Sequence, residues 1–398
     1  MSVKPVSRDF GWVEYNLNEV YSFASGLSKS RDEFGYGHPF VSFKDVFTNF
    51  FLPRRLENLA NTTERERLTC SVKRGDVFLT RTSETQEELG MSSVALTDYP
   101  GATFNGFTKR LRPLGTVDIS PEYAGFYFRS PRFRAIVTSM SSITTRASLN
   151  NDMLSALKIA VPPLPEQKVI AAALSSLDDK INLLHRQKNT LEAMAETLFR
   201  QWFVEDAQEG WDEKPLSSIA NFLNGLACQK YPPPNDLEKL PVLKIRELSS
   251  GISETADWAT SQVKPGYIVE AGDVIFAWSA SLMVKVWDGE KCVLNQHLFK
   301  VTSDEFPKWF YLRWCKHHLA EFIAVAASHA TTMGHIKRGD LDTAMVLVPS
   351  PPALETMSKQ MQPLLDKQIA IARQRKTLEK LRDTLLPKLM SGEVRVSY

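Results

Sequence analysis

Residues 161–200 read VPPLPEQKVIAAALSSLDDKINLLHRQKNTLEAMAETLFR, and the reading of this stretch decides the fold. Pro162, Pro163 and Pro165 hold the chain extended, because proline fixes φ and has no N–H to give a strand, and Pro165 suits a first helical turn. Apolar residues then recur at Ile170, Leu174, Leu177, Ile181, Leu184, Leu191, Ala195, Leu198 and Trp202. The steps alternate four and three, with Lys188 in the one missing slot, which is the seam of a helix that pairs with another helix. Neither Pro nor Gly interrupts 166–205, so a rod of about 60 Å is expected.

Working outward, the stretch has a copy. Residues 348–385, VPSPPALETMSKQMQPLLDKQIAIARQRKTLEKLRDTL, match 161–198 at a constant offset of 187, with 13 of 38 positions identical. The copy keeps the apolar phase at Ile371, Leu378 and Leu385, while Pro363 predicts a start or kink there and Pro387 a disturbed last turn. Residues 166–206 carry 5 basic and 7 acidic residues, against 7 and 3 in 366–388. Opposite charge balance favours pairing of the two helices, and the long connection between them makes an antiparallel pair the simplest geometry.

A second repeat precedes each helix. GWVEYNLNEVYSFASGL at 11–27 shares seven positions with GWDEKPLSSIANFLNGL at 210–226, and GDVFL at 75–79 answers GDVIF at 272–276. The order is therefore domain, helix, domain, helix: residues 1–160, 161–205, 206–347 and 348–398. The domains read as mixed α and β. Strands follow the Gly-Asp turns, and PEYAGFYFRSPRFRAIV and PKWFYLRWCKHHLAEFIAVAA read as helices with aromatic inner faces. The fold class expected is α+β: two similar domains separated by a pair of long antiparallel helices, a coiled coil, with a pseudo-two-fold internal repeat. An antiparallel pair of similar helices would put the domains at opposite ends of the rod.

Composition bounds the rest. The 398 residues carry 48 Lys and Arg against 46 Asp and Glu, so any nucleic-acid contact must come from local patches rather than a global basic field. The four cysteines are far apart and form no C-x-x-C pair, which argues against a finger-type zinc site and for reduced thiols in a cytoplasmic protein. Nothing reads as a membrane span or a secretory signal. P-loop, nucleophile elbow, dinucleotide fingerprint and amino-methyltransferase Pro-Pro motif are all missing, and the histidines are scattered. The chain reads as two readers on a ruler, without an engine of its own.

The readers' contacts should be the polar loops after the matched strands, where Arg, Lys, Asn, Gln, Ser and Thr can meet bases and phosphates. In the first domain these are Lys44, Arg81, Thr82, Ser83, the loop 105–112 with Thr108, Lys109, Arg110 and Arg112, then Thr144, Thr145 and Arg146. In the second they are Lys244, Arg246, Trp278, Ser279, Gln296, His297, Thr331, Thr332, His335, Lys337 and Arg338. Catalytic and metal-binding residues are not expected.

The whole chain resembles the specificity subunits of type I restriction-modification systems, the HsdS family. The resemblance rests on the duplicated order, the Trp12…Gly26 and Trp211…Gly225 starts, the Gly75-Asp76 and Gly272-Asp273 strands, PPLPEQKVI at 162–170 and the ending LLPKLMSGEVRV. PSPPALETM departs from the pattern at the second helix. The resemblance implies two target recognition domains, each reading half of a bipartite, asymmetric site in double-stranded DNA. It further implies helices that set the gap, and docking of two methyltransferase subunits and of motor-nuclease subunits. S-adenosylmethionine, Mg²⁺ and ATP would belong to those partners. The rival reading is a non-catalytic coiled-coil scaffold that binds proteins through its two similar domains.

Overall fold

A computed structural model describes residues 6–7, 11–82, 88–141, 148–328 and 334–396. The chain divides into two compact units, residues 1–179 with 380–398, and residues 180–379.

In the first unit, β1 (Val6–Ser7) and β10 (Lys158–Val161) flank β2 (Val13–Asn16) in a small antiparallel sheet. The main sheet has the order β3 (Tyr21–Ser25), β9 (Thr108–Pro113), β6 (Val77–Thr80), β7 (Ser92–Val94). A third sheet places β4 (Phe34–Val41) between β5 (Leu59–Ala60) and β8 (Thr103–Phe104), with β4 and β8 parallel. Short helices α1 (Leu17–Val20), α2 (Phe43–Thr48), α3 (Glu64–Thr69) and α6 (Asn151–Ala156) lie between the strands along the chain. α4 (Pro121–Arg129) and α5 (Pro131–Ser141) pack Phe126, Phe128, Phe133 and Val137 against the main sheet, as their aromatic faces predict.

The second unit repeats this plan. β11 (Asp212–Pro215) pairs with β20 (Met345–Val348). The main sheet is β12 (Asn221–Asn224), β19 (Leu298–Thr302), β16 (Val274–Ala277), β17 (Met283–Val286). The further sheet runs β14 (Trp258–Thr260), β13 (Lys239–Leu243), β18 (Cys292–Leu294), β15 (Ile268–Val269), with β13 and β18 parallel. Helices α8 (Leu216–Ile219), α9 (Ile245–Ser250), α10 (Lys308–His317), α11 (Leu319–Ser328) and α12 (Arg338–Thr343) complete it.

The repeat extends to register. Phe23 faces Leu111 and Phe222 faces Val301 across the matching strand pairs. Gly26 and Gly225 both lie where a side chain is impossible: a Cβ would stand 2.3 Å from the Asn105 carbonyl oxygen in one unit and 2.2 Å from that of Asn295 in the other. That contact explains why both copies of the starting motif end in glycine. Gly75 and Gly272, at φ +87° and +105°, turn the chain into β6 and β16. Asp76 and Asp273 close those turns by accepting from the backbone N–H of Lys73 and Glu270, each at 2.8 Å.

The two repeated segments are long helices, α7 (Leu164–Arg200) and α13 (Pro351–Ser391). α7 runs on without a break into one π-helical turn, Gln201–Glu205, so the helix covers the expected stretch. α13 does not start at Pro363: it opens at Pro351 and stays helical through Pro363 and Pro387. Pro363 and Lys359, whose carbonyl loses its helical donor there, are both exposed, so water can satisfy the freed group. In the first unit the opening turns of α7 lie antiparallel to the last turns of α13, with Arg382 donating to Asp178 at 3.0 Å. In the second unit Arg375 meets His185 at 3.4 Å, while the Trp202 end of α7 and Ser358 of α13 meet on Trp309, again antiparallel.

Of the expected seam, Ile170 and Leu174 are buried in the first unit; Ile181, Leu184 and Ile371 are buried in the second. Leu177, Leu191, Leu198, Leu378 and Leu385 are half-buried. The last turns of α7 turn Phe199 and Phe203 into the core of the second unit instead, against Trp314 and Phe310.

Three distant sequence motifs meet in the first unit. Glu166, fully buried, accepts from Trp12 Nε1 at 3.2 Å and from Arg395 at 3.0 and 2.7 Å. Gln167 beside it ties the start of α7 to the domain, accepting from Ser120 N and donating to the Asp118 and Pro162 carbonyls. At the offset of 187, Glu166 and Gln167 become Ala353 and Leu354, and Arg395 corresponds to Gln208. Where the second helix departs from PPLPEQ, both members of the ion pair are gone together. In the second unit Trp211 packs instead on Phe203, ring centres 5.4 Å apart.

Candidate nucleic-acid interface

In each unit a β-turn joins two strands beside the end of the main sheet. In the first it is Asn105–Thr108, closed by Thr108 N donating to the Asn105 carbonyl at 3.0 Å; in the second it is Asn295–Leu298, closed the same way at 3.0 Å. The Asn side chain braces each turn, Oδ1 accepting from Phe107 N at 2.6 Å and from His297 N at 3.4 Å. Neighbouring chain is tied on by matching bonds. Arg81 N donates to the Phe107 carbonyl and Trp278 N to that of His297; Leu149 N donates to the Arg81 carbonyl and Ile336 N to that of Trp278. Isolated bridges pair Thr82 with Ser148 and Ser279 with His335.

The structure thus makes Arg81 equivalent to Trp278, Thr82 to Ser279, Phe107 to His297 and Ser148 to His335. One frame carries two different sets of tips. In the second unit the tips form a cluster: the Trp278 ring lies 5.9 Å from His297 and 6.3 Å from His335, Ser279 Oγ meets His297 Nδ1 at 3.1 Å, and Gln296 Nε2 meets His297 Nε2 at 3.4 Å. Trp278 Nε1 donates to Asn224 at 3.1 Å. His297 and His335 are exposed, as are Lys337 and Arg338 at the start of α12. Arg338 reaches the Phe222 carbonyl at 3.3 Å.

The stretch 105–112 is not the loop the sequence suggests. Its first residues form the turn, but Thr108–Pro113 is β9, an inner strand of the main sheet. Thr108 is buried and donates to the Asn105 carbonyl. Lys109, 7% exposed, donates to Ser25 at 3.0 Å and Asn151 at 2.8 Å, and burial with Arg81 nearby holds its ammonium below the usual lysine range. Arg110 caps the carbonyl of Ser71 at 2.6 Å, and burial lowers its pKa too. Arg112 binds Asp76 through two bonds of 2.7 and 2.6 Å, and that carboxylate raises it. These cations satisfy buried acceptors of their own domain, a role that a local run of basic residues cannot reveal.

Lys44 is exposed on α2. Asn105 N bonds to the Val41 carbonyl and Asn295 N to that of Leu243, so Lys44 corresponds to Arg246, and Lys244 to Ser42. Lys244 pairs with Asp257, and Arg246 donates to Glu247 at 2.8 Å. Ser83, Thr144, Thr145, Arg146, Thr331 and Thr332 lie outside the described residues. Sequence reasoning passed over Phe107, which is 62% exposed at the tip of its turn; the signal available was its place beside Asn105-Gly106, matching Asn295-Gln296. Among the described residues no helix is long and apolar enough to cross a membrane.

Residues 10–193 and 208–380 match the protein family described as Type I restriction modification DNA specificity domain. The chain is similar to the Type I restriction enzyme MjaIX specificity subunit of Methanocaldococcus jannaschii, at 24% identity over 411 residues that cover 96% of this chain and 92% of the relative. It is also similar to the Type I restriction enzyme HindI specificity subunit of Haemophilus influenzae, at 20% identity covering 96% and 99%. In fold it is similar to the crystal structure of the type I restriction-modification S subunit from M. genitalium, with TM-score 0.59 and 12% identity over 97% of this chain and 99% of that one. The chain belongs to the type I restriction modification DNA specificity family, with that domain present in two copies, one in each repeat.

Proposed function

We propose that this chain is the DNA sequence-specificity subunit of a type I restriction-modification complex. Each unit reads one half of a bipartite, asymmetric site in double-stranded DNA, and α7 and α13 set the spacing and dock two methyltransferase subunits. The observation that carries this reading is one hydrogen-bonded frame holding two different sets of tip residues. Duplicated readers that diverged in preference must keep the frame, which positions, and change the tips, which select. The subunit performs no catalysis itself. Methyl transfer with S-adenosylmethionine, and ATP- and Mg²⁺-dependent translocation and cleavage, belong to the methyltransferase and motor-nuclease subunits, in the cytoplasm where the host's DNA lies.

The test is to express the chain with its methyltransferase subunits in a methylation-free host and sequence the methylated positions. A two-part motif with a fixed gap is expected. A single continuous motif, or methylation that does not depend on this chain, would refute the reading.

A further inference from the structure

We propose that residues 107 and 297 are the matched selectivity positions of the two units: Phe107 selects by apolar contact with a base edge, and His297 by hydrogen bonding. This rests on the DNA-reading function above and names, within each unit, the side chain that sets the base.

The argument begins with the backbone. Both residues occupy the third position of a turn closed by the same bond and braced by the same Asn side chain. On the far side each turn rests on a glycine, Gly26 or Gly225, that leaves no room for a Cβ. The carbonyl of each residue is held by the next chain segment, from Arg81 N at 2.7 Å and Trp278 N at 3.4 Å. The two side chains therefore leave equivalent, fixed points of one frame.

The side chains themselves differ in kind. A single exposed ring is ordinary on a protein surface, so the 62% exposure of Phe107 carries little alone. It gains meaning from the match. The position held by an apolar ring in one unit is held in the other by an exposed imidazole: Ser279 holds its Nδ1 at 3.1 Å, while Nε2 has only the longer 3.4 Å approach of Gln296 and is the edge left for a base. Neither fold uses the residue to fill its core: Phe107 joins no hydrophobic cluster, and His297 is exposed. The surroundings change in step: Arg81 and Gly106 accompany the Phe, whereas Trp278 and Gln296 accompany the His. An apolar tip suits the methyl edge of thymine, and a hydrogen-bonding tip suits the donor and acceptor edges in the major groove.

The experiment selects DNA from a random-sequence duplex pool with the full chain in complex with its methyltransferase subunits. The unsubstituted complex, Phe107→His, His297→Phe and the double exchange are compared. Phe107→His should change base preference roughly 5- to 100-fold at one position of one half-site, and His297→Phe at one position of the other. The spacer and all remaining positions should stay as they were. Phe107→Leu and His297→Gln keep the apolar and hydrogen-bonding character and should keep the original motif.

An unchanged motif in both exchanges overturns the proposal, as does a change spread over both half-sites. Loss of all binding by a variant with an unaltered melting temperature also overturns it, because a selectivity position shifts preference and does not abolish affinity. If the unsubstituted complex itself selects no two-part motif, the specificity function fails first and separately.

Discussion

Replacing Arg395 by alanine should loosen the first unit more than its place near the C-terminus suggests. The Glu166 carboxylate is fully buried and holds three hydrogen bonds, two from Arg395 and one from Trp12. Arg395→Ala leaves a buried negative charge with a single neutral donor. Breaking a fully buried pair costs about 3–5 kcal/mol. The Arg395 side chain is 37% exposed, so its removal also opens a path for water, and the cost falls to about 2–3 kcal/mol. For a unit of just under 200 residues each kcal/mol lowers Tm by about 2–4 °C, which gives a drop of about 4–12 °C.

Calorimetry on the full chain reads this as a shift of the first unit's transition with the second in place. The decisive comparison is the double variant with Glu166→Gln. If the loss comes from an uncompensated charge, the neutral amide should recover more than half of it, and the double-mutant cycle should show strong coupling. A melting temperature within 1 °C of the parent, or a double variant less stable than Arg395→Ala alone, would refute the reasoning. It would then follow that the fold of the first unit does not depend on this ion pair.

Three further outcomes follow from the structure. Gly26→Ala and Gly225→Ala should each cost about 1–3 kcal/mol or more in their own unit, because the new Cβ meets a backbone carbonyl; equal stability in thermal melts would mean that the frame yields at that point. Burial pushes the Glu192 carboxyl up, but Lys316 and Arg313 outweigh it and hold it below the ordinary value. Its contribution is therefore present above about pH 4.5 and lost as pH falls through the lowered value, so the second unit should weaken in acid, and Arg313→Met, itself less stable at neutral pH, should weaken less over that range in pH-dependent melts. All four cysteines are buried, and burial raises the thiols of Cys292 and Cys315 strongly, so a thiol reagent should label them only on unfolding.

The sequence by itself determined the duplication, the order of domain and helix, and the α+β class. Those are properties of spacing: identities at a constant offset and apolar steps of four and three survive without any knowledge of what packs on them. It also marked Gly26 and Gly225, and the two motifs within which Glu166 and Arg395 lie, though without their reasons. Only the tertiary structure decided what those residues do, since each acts on a partner far away in the chain. The glycines meet carbonyls about 70–80 residues on, and Glu166 meets Trp12 and Arg395 across 154 and 229 positions. The basic run at 108–112 misled for the same reason. Whether a cation faces solvent or caps a carbonyl depends on which backbone lies opposite, and the carbonyl of Ser71 enters no local pattern around Arg110. The equivalence of Phe107 and His297 was hidden likewise. Their side chains share nothing, and the hydrogen-bonded frame that makes them counterparts exists only once the strands have paired.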